Sequence, residues 1–302
     1  MRRTRRPLVV GAIVACAAAA LVVPAQFANA LVIVVPPAPG GLVYQQAQSA
    51  RNSATTKVVE VDCPDDTAGV GGDAIVSGTT SARINGMTPT ATGFTVTATE
   101  ASGGTADSWR VVAAAVCAPV GSLPGLDYVE DTSDFDTSTA HSASAGCDGD
   151  QELAGMGGQI DPASGSAPQD RLVLTAVRPA GPVNGATSVT VAGHTDEAGE
   201  TAEPWRVRAT AVCVDPASAF LVGATAGSAR NSQTEKVVTA TPDAPRTAHA
   251  VGFDLTTAQG QAALTSVNLT VDAEHSMEVV AREDPTGFDG DWNYSVFVLT
   301  GA

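Results

Sequence analysis

The stretch that decides the fold occurs three times, as WRVVAAAVC at 109–117, WRVRATAVC at 205–213 and WNYSVFVLT at 292–300. Each copy begins with one of the three tryptophans of the chain. Valine, alanine and aromatic residues without an internal proline or glycine are typical of a β-strand. Because side chains alternate along a strand, the tryptophan and every second residue after it share one face. The pattern predicts a strand that packs this face into a core and closes each copy of a repeat.

Three repeat modules extend outward from these strands. Their predicted bounds are 42–119, 126–214 and 220–302. The first and third modules share the short segments SARNS and KVV at corresponding places. Recurring segments of this kind indicate an internal repeat. Gly71-Gly72 of the first module is matched to Gly157-Gly158 of the second, and Gly252 remains alone in the third.

The spacing of short apolar segments predicts the fold class. They are separated by Gly, Thr and Pro, and no stretch shows a helical period over ten or more residues, so we expect an all-β protein. The Pro/Gly-containing linkers at 119–125 and 214–219, together with unequal module lengths, favour three tandem β-sandwich-like repeat modules. The alternative is one three-fold pseudo-symmetric barrel or prism built by the repeats together.

Four cysteines remain after the first thirty residues, and an even number in an exported chain indicates disulfides. Modules one and two each hold an early and a late cysteine, whereas module three has Thr241 and Thr300 at these places. Cysteines that are lost together are expected to be paired. The predicted bridges are Cys63–Cys117 and Cys147–Cys213.

Residues 1–30 have the features of an export signal: an arginine-rich front, an apolar alanine-rich stretch and an A-x-A site at 28–30. The arginines fit either Sec or twin-arginine export. Residues 13–16 resemble a lipobox, but apolar sequence continues beyond Cys16, which argues against a lipid anchor. Residues 31–41 follow as an apolar, Pro/Gly-rich linker, so the prediction is a secreted, extracellular protein.

The charge of the chain restricts its partners. Removing the signal takes away four of the 16 basic residues and none of the 32 acidic ones, which lowers the formal charge from −16 to −20. This argues against nucleic acid and anionic membranes as partners. No later stretch approaches the roughly eighteen apolar residues of a membrane span, so none is predicted.

Acidic loops precede the tryptophans, and the loop of module three is the best candidate for a metal site. Asp284, Asp289 and Asp291 stand there among glycines, and Ca²⁺ binds oxygen ligands on flexible loops. The spacing does not match a calcium-loop signature, and Asp and Gly are also ordinary turn residues. We therefore expect no cofactor and keep calcium as a tentative alternative.

Two further groups of residues resemble a sugar-binding site and part of a catalytic triad. Trp109, Trp205 and Trp292 fit a sugar-stacking platform, although their place at the head of an apolar strand favours core packing. The segment 194–196 reads His-Thr-Asp, but no serine stands in a G-x-S-x-G setting. No catalytic residue is predicted, and the chain is predicted not to be an enzyme.

Several short segments of the sequence resemble repeats in exported actinobacterial proteins of unknown function. They are KVVEVDCP at 57–64, GVGG at 69–72, EDPTGFDGDW at 283–292 and the strand ending AVC. The resemblance covers nearly the whole mature chain and implies a repeated structure, and it carries no activity that can be transferred to single residues.

Repetition without catalytic residues favours a non-catalytic protein that binds a cell-wall polymer, glycan or protein at the cell surface, because avidity grows with the number of copies. The alternatives are a structural envelope or matrix protein and, less favoured, a secreted hydrolase.

Overall fold

The computed structural model describes residues 41–163, 169–181, 185–196, 203–216, 221–270 and 275–301. The predicted signal at 1–30, including Cys16, lies outside the described residues, as does nearly all of the linker predicted at 31–41. No helix in the described part is long and apolar enough to cross a membrane.

Eighteen β-strands occur in the described residues, six in each module. Module 1 contains β1 (Val43–Gln48), β2 (Thr56–Asp62), β3 (Thr67–Ser77), β4 (Ala82–Thr90), β5 (Gly93–Glu100) and β6 (Arg110–Pro119). Module 2 contains β7 (Asp127–Thr132), β8 (Ala140–Gly146), β9 (Glu152–Pro162), β10 (Leu172–Ala180), β11 (Ser188–Thr195) and β12 (Trp205–Val214). Module 3 contains β13 (Leu221–Gly227), β14 (Glu235–Ala240), β15 (Thr247–Asp254), β16 (Ala262–Leu269), β17 (Met277–Glu283) and β18 (Ser295–Gly301). Short 3₁₀ turns lie at Val120–Ser122, Gln169–Arg171 and Thr256–Ala258.

Each module is built from two antiparallel half-sheets. Its first, sixth and third strands form one, and its second, fifth and fourth strands form the other. The half-sheets face each other across a core. The closing strands β6 and β12 show this in their first half, where residues that are buried in the core alternate with partly exposed ones. The predicted all-β fold with three β-sandwich-like modules is confirmed.

The half-sheets of neighbouring modules also pair with each other. In the described residues this gives three six-stranded sheets, ordered β1-β6-β3-β16-β17-β14, β13-β18-β15-β10-β11-β8 and β2-β5-β4-β9-β12-β7. None of them closes into a barrel. The three seams are β4 with β9, β10 with β15, and β16 with β3. Module 1 therefore joins module 2, module 2 joins module 3, and module 3 returns to module 1, which makes a ring with pseudo-three-fold symmetry.

Glycine allows the modules to approach closely around the centre of this ring. A Cβ on Gly71 would lie 2.1 Å from the backbone oxygen of His249, and one on Gly155 would lie 2.1 Å from that of Val70. The strand registers place Gly71 opposite Val116 and Gly155 opposite Val212, at the same position of the repeat. The predicted match of Gly71-Gly72 with Gly157-Gly158 was therefore wrong by two residues.

Both disulfides form as predicted, Cys63–Cys117 and Cys147–Cys213, with Cα–Cα distances of 5.8 and 5.5 Å. Each joins the end of a module's second strand to its closing strand, and so ties the two half-sheets together. In the chain-entropy model, loops of this length contribute about 4 kcal/mol each. In module 3, Thr300 takes the place of the late cysteine, and Gly223 lies so close that a Cβ there would be 2.2 Å from the threonine Oγ1.

Candidate functional site

The three tryptophans lie in the cores of the modules. Trp109, Trp205 and Trp292 are each 0% exposed. A ring without an accessible face cannot stack against a sugar, so the stacking interpretation is wrong and the core interpretation holds. The polar groups around the rings are nevertheless informative, because burial requires that each indole N–H find a partner.

Modules 1 and 3 surround the indole with the same three side chains. Trp109 Nε1 donates to Glu100 Oε1 at 2.9 Å, and Lys57 Nζ lies 4.6 Å from the ring centre. Lys57 also donates to Asn52 Oδ1 and to the carbonyl of Ala50. Burial lowers the pKa of the Lys57 ammonium, and the Glu100 carboxylate acts in the opposite direction. The equivalent residues of module 3 are Trp292, Glu283, Lys236 and Asn231.

Module 2 surrounds its indole differently. Trp205 Nε1 donates to the backbone carbonyl of Ser138 at 2.9 Å, and no carboxylate takes part. The His141 ring meets the indole edge-on, with centroids 4.3 Å apart, and its Nε2 lies 3.2 Å from Asp136 Oδ1. His141 thus occupies the position of Lys57, and Asp136 that of Asn52.

The predicted calcium ligands of module 3 have separate surroundings. Asp284 Oδ1 accepts hydrogen bonds from the backbone N–H groups of Thr286 and Gly287 and from the Thr286 hydroxyl, so it stabilises its own turn. Asp289 and Asp291 are exposed. Among the residues with described positions, no group of three His, Cys, Asp or Glu side chains could hold a metal. The calcium site stays a prediction without support from this geometry.

A buried arginine lies where the modules meet. Arg83 on β4 is 2% exposed, and its Nη2 donates to the backbone carbonyl of Asp170 and lies 4.0 Å from Asp196 Oδ2. Burial lowers the pKa of Arg83 to about 10, although the carboxylates of Asp196, Asp284 and Asp170 act against this shift. Arg83 belongs to module 1, Asp170 and Asp196 to module 2 and Asp284 to module 3. The cluster therefore links all three modules, and the Arg83 guanidinium pairs with the Asp196 carboxylate.

An open cleft of about 550 Å³ lies in front of Asp196, between modules 2 and 3. This volume is within the range of small-molecule binding pockets. Its walls combine imidazole, amide, hydroxyl and carboxylate groups with one phenyl ring. The lining side chains that matter below are His194 and Asp196 from module 2 and Gln259, Gln261, Phe288 and Asp289 from module 3.

Two residues of the cleft wall, Thr195 and Phe288, depart from the repeat. Strand register places Thr195 at the position of Glu100 in module 1, where the glutamate binds the indole. The backbone N–H of Phe288 donates to Glu283 as that of Thr105 donates to Glu100, so Thr105 is the module 1 counterpart of Phe288. The sequence predictions missed this cleft. A position-by-position comparison of the repeats was the available signal, because residues kept for the fold repeat and these do not.

No family model matches the chain, and a search of curated proteins found no significant match.

Proposed function

We propose that the chain is an exported, non-catalytic binding protein whose cleft between modules 2 and 3 takes a cell-wall polymer or glycan. One observation carries the proposal: the cleft is open and polar, and Thr195 and Phe288 in its wall differ from their counterparts in module 1. The two disulfides support an oxidising location, as export would provide.

The chemistry of the walls favours a ligand rich in hydroxyl groups. Glutamine amides donate and accept hydrogen bonds, threonine hydroxyls do both, and the carboxylate of Asp289 accepts them from a hydroxyl. Phe288 adds an apolar surface, and Gly290 packs against its ring, where a Cβ would lie 2.6 Å from the ring carbons. A sugar ring has both parts, hydroxyl groups at its edge and C–H groups on its face.

The test is sedimentation of the oxidised protein, residues 31–302, with isolated bacterial cell walls, chitin or cellulose. Phe288→Ala and Asp289→Asn should each lower the bound fraction about tenfold, as expected for an anchor contact. Thr105→Ala and Asp107→Asn change the corresponding loop of module 1 and should leave binding unchanged. Equal binding by all four variants would place the site elsewhere. A protein that sediments with none of the polymers would contradict the proposal and favour the structural role.

The same assay includes calcium or a chelator in parallel samples. If calcium is a ligand of the acidic loop, chelation should abolish sedimentation and Asp291→Asn should weaken it. Binding that is equal under both conditions would remove the calcium interpretation and leave the cleft as a metal-independent site.

A further inference from the structure

A second cavity of about 280 Å³ borders the cleft. Two residues, His194 and Gln259, line both cavities and therefore form the ridge between them. The second cavity adds the hydroxyl-bearing residues Ser142, Thr175 and Thr256. The two cavities together form an extended groove with two lobes.

Gln259 is held on this ridge by a strained backbone. It has left-handed dihedral angles, φ 50° and ψ 40°, which are uncommon for a residue other than glycine. The next residue, Gly260, packs so tightly on module 2 that a Cβ would lie 2.3 Å from the Thr195 carbonyl oxygen. Strain of this kind persists only where the surroundings enforce it, and it concentrates at functional sites. The loop thus fixes the backbone of Gln259 at the junction of the lobes.

His194 is fixed on the opposite side of the ridge. Its Nδ1 lies at hydrogen-bonding distance from the backbone carbonyl of Thr195. A carbonyl only accepts, so Nδ1 carries the hydrogen of this bond. In the neutral tautomer Nε2 is then the acceptor left for a ligand. His194 offers an acceptor, and Gln259 offers both a donor and an acceptor, which is the set that a hydroxyl group needs.

We propose that the two-lobed groove binds at least two consecutive units of an uncharged, hydroxyl-rich chain, with His194 and Gln259 contacting the linkage between them. This inference rests on the proposed function and names the ligand class of the same site. Neither lobe is lined by Lys or Arg among the described residues, whereas Asp289 lies in one of them. The groove therefore disfavours phosphate- or carboxylate-bearing chains.

The experiment is calorimetric titration of the protein with β-1,4-linked glucose and N-acetylglucosamine oligomers of one to six units, and with galacturonate oligomers as the anionic probe. Affinity should rise about tenfold or more between one and three units, because the second lobe is filled only by the longer chain. His194→Ala and Gln259→Ala should each weaken trimer binding about tenfold and monomer binding much less. Gln169→Ala, the glutamine at the equivalent backbone position of module 2, is the matched control.

Each of the following outcomes would overturn the inference. Monomers that bind as tightly as trimers, or trimer binding unaffected by both substitutions, would contradict the two-lobed site while the proposed function stands. Preferential binding of galacturonate oligomers would contradict the ligand class. Retention on insoluble polymers without binding of any oligomer would reject this groove as the site, whereas failure of both assays would reject the proposed function as well. Thermal unfolding of each variant verifies that it folds.

Discussion

Modules 1 and 2 have the same strands, the same disulfide and the same buried tryptophan, but they satisfy the indole N–H differently. Trp109 donates to the side chain of Glu100, whereas Trp205 donates to the backbone carbonyl of Ser138. Glu100 is 3% exposed, and Ser138 lies on the surface. One module therefore uses a buried carboxyl group and the other the backbone carbonyl of a surface residue for the same task.

This difference relates the fold to the candidate site. Because Trp205 does not need a carboxylate, the position of Glu100 is occupied in module 2 by Thr195, which lines the cleft together with His194. In module 1 the corresponding side chains take part in hydrogen bonds within the module. Glu100 accepts from the indole, and the Thr99 hydroxyl accepts from Asn85 Nδ2 at 2.6 Å. The end of β11 in module 2 is therefore not used to bind the indole N–H.

A second difference lies at the seams of the ring. Asp73 of module 1 is buried and accepts a hydrogen bond from the backbone N–H of Leu269 in module 3 at 3.4 Å. Module 2 has Gly157 at this position. Burial raises the pKa of Asp73 to about 7, against the effect of its backbone hydrogen bonds. Across another seam, His249 Nε2 donates to the Ala154 carbonyl at 2.7 Å, and burial lowers the pKa of His249 to about 4.

The largest expected effect is on the pH dependence of stability. Asp73 keeps its proton in the folded state up to about pH 7 and loses it near pH 4 when unfolded, so its contribution falls as the pH rises between these values. Asp73→Asn should remove this loss and gain stability relative to the wild type by on the order of 4 kcal/mol between pH 4 and pH 8. Urea unfolding across this range measures the difference. Parallel wild-type and variant curves would contradict the buried-carboxyl assignment.

A substitution of His249 is the control, because its effect on stability should depend on pH in the opposite direction. Its folded pKa lies below the unfolded value, so its contribution is present above about pH 6.5 and is lost as the pH falls toward 4. His249→Gln keeps an N–H donor for Ala154 but does not titrate. The variant should therefore gain on the wild type as the pH falls, where Asp73→Asn gains as the pH rises. Two differences of the same sign would show that an unrelated group controls both.

The next effect separates the two indole partners. Trp109→Phe leaves Oε1 of the buried Glu100 without the indole donor, which should cost about 1.5–3 kcal/mol beyond the loss of ring volume. Trp205→Phe exposes the Ser138 carbonyl to water, and its hydrogen-bond cost should be only about 0.5–1.5 kcal/mol. Both substitutions remove the same volume, so the difference in unfolding free energy isolates the polar partner. Equal losses would mean that Glu100 finds another donor.

The elements of the fold followed from local sequence. Alternating residues after each tryptophan predicted the closing strands, and the joint absence of two cysteines from module 3 predicted the disulfides. The strand registers place Pro242, and not Thr241 as predicted, at the position of Cys63. The seams did not follow, because a period of two fixes which face of a strand is buried and not which strand lies beside it. The glycine mismatch has the same origin, since Gly155 is recognised only when its opposite residue on β12 is known.

The candidate site could not be predicted from spacing. His194 and Gln259 belong to different modules and meet because β10 pairs with β15. The acidic loop that composition favoured contributes Asp289 to the cleft, whereas Asp284 Oδ1 is engaged in its own turn. Composition therefore pointed to a loop that lines the cleft, and the calcium interpretation of this loop stays a prediction.

A smaller effect concerns the cation over the indole. Lys57→Met removes hydrogen bonds to Asn52 and Ala50 and the contact with the Trp109 ring, which should cost about 1–3 kcal/mol. His141→Phe keeps an aromatic edge against Trp205 and loses only a pair with an exposed aspartate, so we expect a smaller loss of stability than for Lys57→Met. Chemical denaturation compares them. A greater loss for His141→Phe would contradict the view that module 2 depends less on charge.

The smallest effect tests the exposed aspartate of module 2. Hydrogen bonds from Ser138 lower the pKa of Asp136, and His141 acts in the same direction. A lowered carboxyl pKa stabilises the fold above the ordinary aspartate pKa, and this contribution is lost as the pH falls through the lowered value. Asp136→Asn installs the residue that module 1 has at position 52. We expect it to be slightly less stable than the wild type near pH 6 and to lose this deficit once the pH falls below the lowered pKa, and an NMR titration of the Asp136 carboxyl measures the shift directly. A pKa at or above that of free aspartate would show that the Ser138 hydrogen bonds do not form in solution, and the turn that presents the Ser138 carbonyl to Trp205 would then need another explanation.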